Sequence, residues 1–143
     1  MKCYIASPFF DEIAIQEVET VKELLEELNI EYFSPKDHNL CEPDAPEEKR
    51  KEVFEKNIKE ISNCDFMIAN TRNKDIGTSI EIGYAFSNDK PVILFCPQVR
   101  NIGINLMLAN LCRGFSYDKE ELKNRIEEFL KNINSPTYNN KIE

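Results

Sequence analysis

The sequence predicts an α/β fold, a doubly wound sandwich around a central five-stranded parallel sheet. Three observations carry this expectation. Short apolar runs alternate with amphipathic helical stretches about five times along 143 residues, which is the pattern of a parallel sheet with helices on both faces. The run "PVILFCP" is apolar without alternation, as a strand covered on both sides must be. The length suits one domain with a real core. These features point to a single-domain flavodoxin/Rossmann-like sandwich over residues 1–133, followed by a polar C-terminal tail, "NSPTYNNKIE", over 134–143.

The elements follow in order. "KCYIAS" reads as the first strand. Asp11 to Leu28 reads as a helix, because Val18, Val21, Leu25 and Leu28 are three and four apart and make one stripe. "EYFS" is the second strand. Residues 35–46 read as a loop, with three prolines and the turn formers Asp37, His38 and Asn39. Glu47 to Asn63 is the second helix, with Phe54, Ile58 and Ile61 assigned to one face. "DFMIANT" is the third strand, and the polar "RNKD" leads to a helix expected over Thr78 to Ser87. "PVILFCP" is the fourth strand, "INLMLANL" a short helix and "GFSY" the fifth strand. Asp118 to Ile133 closes the chain as a helix, with Leu122, Ile126, Phe129 and Ile133 spaced 4, 3, 4. In such sheets ligands bind beyond the carboxyl ends of the strands, near the switch in strand order. That selects the loops at 7–11, 34–46, 71–78 and 97–105.

Composition narrows the function classes. A net charge of −8 argues against nucleic-acid polymers and anionic membranes as partners, since both need a basic surface. No apolar run approaches the ~20 residues that cross a bilayer. The N-terminal "MKCYIASPFF" reads as a buried strand, not a signal peptide. Five cysteines, at 3, 41, 64, 96 and 112, include no C-x-x-C pair; free thiols in a reducing cytoplasm are the simplest account. With one histidine, His38, no zinc site is expected.

The stretch "DIGTSIEIGYA" places a carboxylate, Glu81, between two isoleucines behind a Gly-Thr-Ser turn. Two readings compete. Thr78-Ser79-Ile80-Glu81 fits a capping box, in which hydroxyl and carboxylate satisfy backbone donors and contribute ~1 kcal/mol. Alternatively, Glu81 lies in the first helical turn over the crevice, with Asp75 on the same edge and Gly77 and Gly83 leaving room for a ligand. A helix N-terminus would keep such a carboxylate ionised, ready to act as nucleophile or electrostatic stabiliser in glycosyl chemistry.

At this point "NKDIGTSIEIGYAFSNDKPVILF" resembles the signature of the nucleoside 2-deoxyribosyltransferases. "CYIASPFFDE", "FSPKDHNL", "VFEKNIKEISNCD" and "INLM" extend the resemblance in order, and it fades after about residue 117. The resemblance implies that Glu81 attacks the anomeric carbon of a 2'-deoxynucleoside, expels the base and forms a covalent 2-deoxyribosyl-enzyme. A second base then displaces it, with net retention. A neighbouring carboxylate stabilises the oxocarbenium-like transition state. No metal or organic cofactor is implied. The partners implied are small deoxynucleosides and free nucleobases, with a homo-oligomer, a dimer or multiple of dimers, sharing its active sites.

By the same resemblance Tyr4 orients Glu81, although position alone also suits a core tyrosine with a satisfied hydroxyl. Of Phe9 and Phe10, at least one is free to line a pocket, and Phe10 is the one expected against the nucleobase. Asp75 stands where the transferases hold the sugar 5'-hydroxyl. Related hydrolases of deoxynucleoside 5'-monophosphates carry serine there, and an aspartate repels a phosphate dianion. "NKDIG" is equally good turn chemistry. Gly77 and Met107 join the expected substrate contacts. Asn105 matches an asparagine that a neighbouring subunit lends to the site, or is simply a helix cap. Asn57 replaces an aspartate that meets the nucleobase in several transferases; an amide cannot protonate a leaving base. Asp37 and His38 are alternative polar contacts, Asp65 reads as structural, and Tyr138 in the tail is an unassigned aromatic. Two other functions stay open: an N-glycoside hydrolase of deoxynucleosides or their 5'-monophosphates, and a non-catalytic nucleotide sensor on the same scaffold.

Overall fold

The computed structural model describes residues 1–99, 103–133 and 142. Five strands form one parallel sheet in the order β2-β1-β3-β4-β5. They are β1 (Lys2–Ala6), β2 (Glu31–Phe33), β3 (Phe66–Ala69), β4 (Val92–Phe95) and β5 (Gly114–Ser116). The helices are α1 (Glu12–Glu27), α2 (Pro35–His38), α3 (Glu47–Asn63), α4 (Ile76–Ser87), α5 (Leu106–Leu111) and α6 (Lys119–Leu130).

Side chains alternate across each strand, so the sheet has two apolar faces. Tyr4, Ala6, Met67, Ala69, Val92 and Leu94 meet Ile61 of α3, Ile82 and Ala85 of α4 and the α5 region. Cys3, Ile5, Phe66, Ile68, Ile93 and Phe95 meet Val18, Val21, Leu24 and Leu25 of α1 and Leu122 and Ile126 of α6. Each fully buried aliphatic side chain there contributes roughly 1.5–3 kcal/mol. The caps explain the helix starts. Asp11 accepts from Ala14 N at 2.8 Å and Asp118 from Glu121 N at 2.9 Å, each satisfying an orphan donor.

Four details differ from the sequence reading. The predicted 35–46 loop contains the single turn α2, begun by Pro35, whose fixed φ suits a first helical position. On α3 the inward row is Val53, Asn57 and Ile61, spaced four apart; Val53 and Ile61 are buried, Asn57 is half-buried and Phe54 is exposed. The last helix ends at Leu130, leaving Ile133 exposed. Helix α4 begins two residues before the predicted Thr78, because Asp75, not Thr78, caps it. Apart from Ile142, which makes a parallel bridge to Ile104, the tail with its Tyr138 lies outside the described residues. No described helix is long and apolar enough to cross a membrane.

The strand order reverses at β1: the chain runs outward to β2 and returns past β1 to β3. The crevice expected at such a switch lies beyond Ala6 and Ala69. The β1–α1 turn and the β3–α4 turn open onto it.

Candidate active site

Tyr4 and Glu81 meet at this crevice. Tyr4 stands on β1 with its ring fully buried and stacked on Phe33, centroids 5.7 Å apart. Its hydroxyl donates to Glu81 Oε1 at 2.6 Å, the short distance of a bond to a charged acceptor. Burial, followed by the Glu81 charge, pushes the Tyr4 phenol far above its usual range, so Tyr4 is a permanent donor.

The cap geometry decides between the two readings of Glu81. Asp75 Oδ2 accepts from Thr78 N at 2.8 Å and from Thr78 Oγ1 at 2.9 Å. Thr78 therefore serves the Asp75 cap, and Glu81 sits six residues beyond the cap, in the second turn. The capping-box reading is overturned, and so is the placement in the first turn. The helix dipole fades within one turn and does not keep Glu81 ionised. Burial instead pushes its carboxyl up to about 7, opposed by the Tyr4 hydrogen bond and reinforced by the Asp75 charge. At neutral pH both protonation states are populated. Gly77 belongs to the cap as well: a Cβ there would stand 3.3 Å from Asp75 Oδ2.

Asn57, on the inward row of α3, has its orientation set by a relay. The Val53 carbonyl can only accept, so Asn39 turns its NH2 toward it, at 2.8 Å. The same NH2 donates to Asn57 Oδ1 at 2.8 Å. Among the described residues, Asn57 is left with an unengaged NH2, a donor, and Asn39 with an unengaged carbonyl, an acceptor. Asn39 had been legible only as a turn former. Phe9 and Phe10 pack on each other, centroids 5.1 Å apart, with Phe10 79% exposed beside the crevice. Asp37 and His38 have other partners. Asp37 pairs with Lys22 at 2.7 Å, and His38 Nδ1 accepts from Ser34 N at 2.9 Å within its own turn. Asp65 accepts from Lys2 N at 2.6 Å, tying β1 to the start of β3.

Asn105 caps α5, its Oδ1 accepting from Met107 N at 2.9 Å. Asn105 and Met107 do not join Tyr4 and Glu81. They line a cavity of about 820 Å³ with Asn73, Ser79, Gln98 and Ile104, and neither Tyr4 nor Glu81 is in its lining. Within one chain the geometry therefore unites Tyr4, Asp75 and Glu81, and leaves Asn105 and Met107 in that cavity.

The family model of nucleoside 2-deoxyribosyltransferases matches residues 3–135. The chain belongs to the nucleoside 2-deoxyribosyltransferase family. The structure of a 2-deoxyribosyltransferase from Bacillus psychrosaccharolyticus is 30% identical and superposes with a TM-score of 0.84, over 96% of this chain and 100% of that one. Two more distant structures share the fold. A CMP N-glycosidase of Clostridium botulinum is 18% identical, with a TM-score of 0.62 over 89% of this chain and 99% of that one. A conserved protein from Enterococcus faecalis V583 is 15% identical, with a TM-score of 0.68 over 90% and 98%. No curated protein matches the sequence. Membership makes this chain a nucleoside-processing glycosyltransferase or N-glycosidase.

Proposed function

We propose that the chain transfers a 2-deoxyribosyl group between nucleobases, with Glu81 as nucleophile. The observation that carries this reading is the Tyr4–Glu81 hydrogen bond at the sheet's switch point, in a member of this family. A Glu81 carboxylate oxygen bonds to C1' of the donor from the face opposite the base. The N-glycosidic electron pair leaves with the base, which takes up a proton. A nitrogen of the second base then bonds to C1', the ester electrons return to Glu81, and the acceptor nitrogen loses its proton. Tyr4 donates to one carboxylate oxygen and leaves the other to attack. The Asp75 carboxyl, held by its cap, accepts from the sugar 5'-hydroxyl and repels a 5'-phosphate.

The Asn57 amide does not protonate the leaving base; it offers its NH2 to an acceptor on the base edge, beside the Asn39 carbonyl. Phe10 covers a base face. Ile76, Ile80, Leu106 and Met107, all exposed in the single chain, are buried against a second copy, which brings its Asn105 and Met107 toward the first copy's Glu81.

Incubation with thymidine and adenine is expected to give deoxyadenosine and thymine. Accumulation of thymine and free deoxyribose alone would replace transferase with hydrolase. A 2-fluorinated donor that slows the second displacement is expected to leave its sugar on Glu81, read by peptide mass spectrometry; a label on another residue removes Glu81 from the role.

A further inference from the structure

The β3–α4 turn is fixed by more than a surface turn requires. Glu17, in the middle of α1, is buried. Its Oε2 accepts from Asn70 Nδ2 at 2.6 Å and from Arg72 Nε at 2.7 Å. Its Oε1 accepts from Arg72 Nη2, completing a bidentate pair. Asn70 Oδ1 then accepts from Arg72 N at 3.0 Å. One residue on, Asn73 Nδ2 donates to Asp11 Oδ2 at 2.9 Å. Five side chains thus tie the end of β3 and the turn after it to α1 and its cap.

What they hold is strained backbone. Asn73 and Lys74 are consecutive left-handed residues, with φ of 60° and 51°. Such a conformation costs a non-glycine residue ~1 kcal/mol or more and persists only where its surroundings over-determine it. The strained pair ends at Asp75, which caps α4, and the second turn of α4 carries Glu81. A bidentate arginine–carboxylate pair imposes direction as well as energy, which a lysine would not.

We propose that the Glu17–Arg72 pair, with Asn70 and Asn73, is a positioning device for the reaction centre. It holds the left-handed turn, the turn holds Asp75, and Asp75 with α4 holds Glu81 against Tyr4. This rests on the reading of Glu81 as nucleophile. A merely stabilising ion pair would affect unfolding and nothing else.

The groups that act on Glu81 are Tyr4 from β1 and Asp75 from the turn, while Glu60 and Cys64 on the α3 side act on Tyr4. Releasing the turn admits water and moves the Asp75 charge away, which lower the Glu81 midpoint, and loosens the Tyr4 bond, which raises it; burial is the largest of the three, so the net shift is downward. The test is a carbon-13 titration of the Glu81 carboxyl in the full chain and in Arg72→Gln, with Glu81→Gln assigning the signal, alongside kinetics at a temperature where both are folded. Arg72→Gln is expected to lower the midpoint by about half a unit or more. It is also expected to reduce kcat about tenfold or more, with a smaller change in KM. Glu17→Gln is expected to act alike, and the double variant to be no worse than either single one. If Arg72→Gln does not fold, Arg72→Lys, which keeps the charge and loses the fork, is titrated in its place. A folded variant with a reduced Tm but an unchanged midpoint and an unchanged kcat overturns the proposal. The titration decides it even where the chain proves inactive on deoxynucleosides, so its failure and that of the proposed activity are told apart.

Discussion

At the residue scale, the proposed chemistry is concentrated in one pair, Tyr4 and Glu81. Burial pushes Glu81 up to about 7, while the proposed attack on C1' needs the ionised form. The profile of kcat/KM is therefore expected to lose activity as pH falls through about 7, the value set by burial and Asp75. The sign for stability is opposite. The folded chain binds the Glu81 proton more tightly than the unfolded chain, so this group lowers stability as pH rises from the unfolded value of 4.5 through about 7. Glu81→Gln is expected to remove that pH dependence, keep the fold and lower kcat on the order of 10³-fold or more. Urea melts across this window check the first part, and single-turnover kinetics the second. Tyr4→Phe deletes a bond that favours the charged carboxylate. It is expected to move the acidic limb upward and reduce kcat/KM roughly 10–100-fold, the worth of a hydrogen bond to a charged group. An unmoved limb would detach Tyr4 from Glu81.

At the element scale, α4 is positioned by its first residue outside the helix. Asp75 carries both the cap and a negative charge near Glu81, and two substitutions separate these roles. Asp75→Ala removes the cap and is expected to cost ~1 kcal/mol, a Tm drop of roughly 2–4 °C for a domain of this size. Asp75→Asn keeps an acceptor for Thr78 N but loses the charge. It is expected to melt close to the parent, yet to shift the acidic limb downward and to discriminate less against 5'-monophosphates. Calorimetry with a paired nucleoside and nucleotide assay distinguishes the two. The same helix explains why the capping box was the natural but mistaken sequence reading. Thr78-Ser79-Ile80-Glu81 satisfies the motif locally, but Asp75, which follows the left-handed residues Asn73 and Lys74, takes the cap first.

At the scale of the whole molecule, the proposed function has a second copy complete the reaction centre. Asn105 and Met107 line a cavity that Tyr4 and Glu81 do not line. If two-fold pairing brings them to the partner's site, mixing Glu81→Ala and Asn105→Ala subunits restores activity that neither variant has alone. Random exchange makes half the dimers mixed, and each mixed dimer has one intact site, so recovery to about a quarter of the parent is expected. No recovery after verified exchange would place Asn105 outside the shared site.

The strand-and-helix alternation was legible because the layers of a parallel sheet leave a local record. Unbroken apolar runs mark doubly covered strands, and three-four spacing marks the helix stripes. Asp11 and Asp118 announced their helices because capping is local. Glu81 was legible as a carboxylate just past the 71–78 loop, and its role is what the family motif implies. Tertiary structure decided what depends on neighbours distant in sequence. It set the protonation of Glu81, because burial between β1 and α4 is a property of packing. It fixed the facing of Asn57, because a carbonyl at Val53 orders Asn39 first. It made the Glu17–Arg72 clamp, whose partners are 55 residues apart. Periodicity and capping act within a few residues and are written in the chain; dielectric environment and long-range hydrogen bonds exist only once the chain has folded.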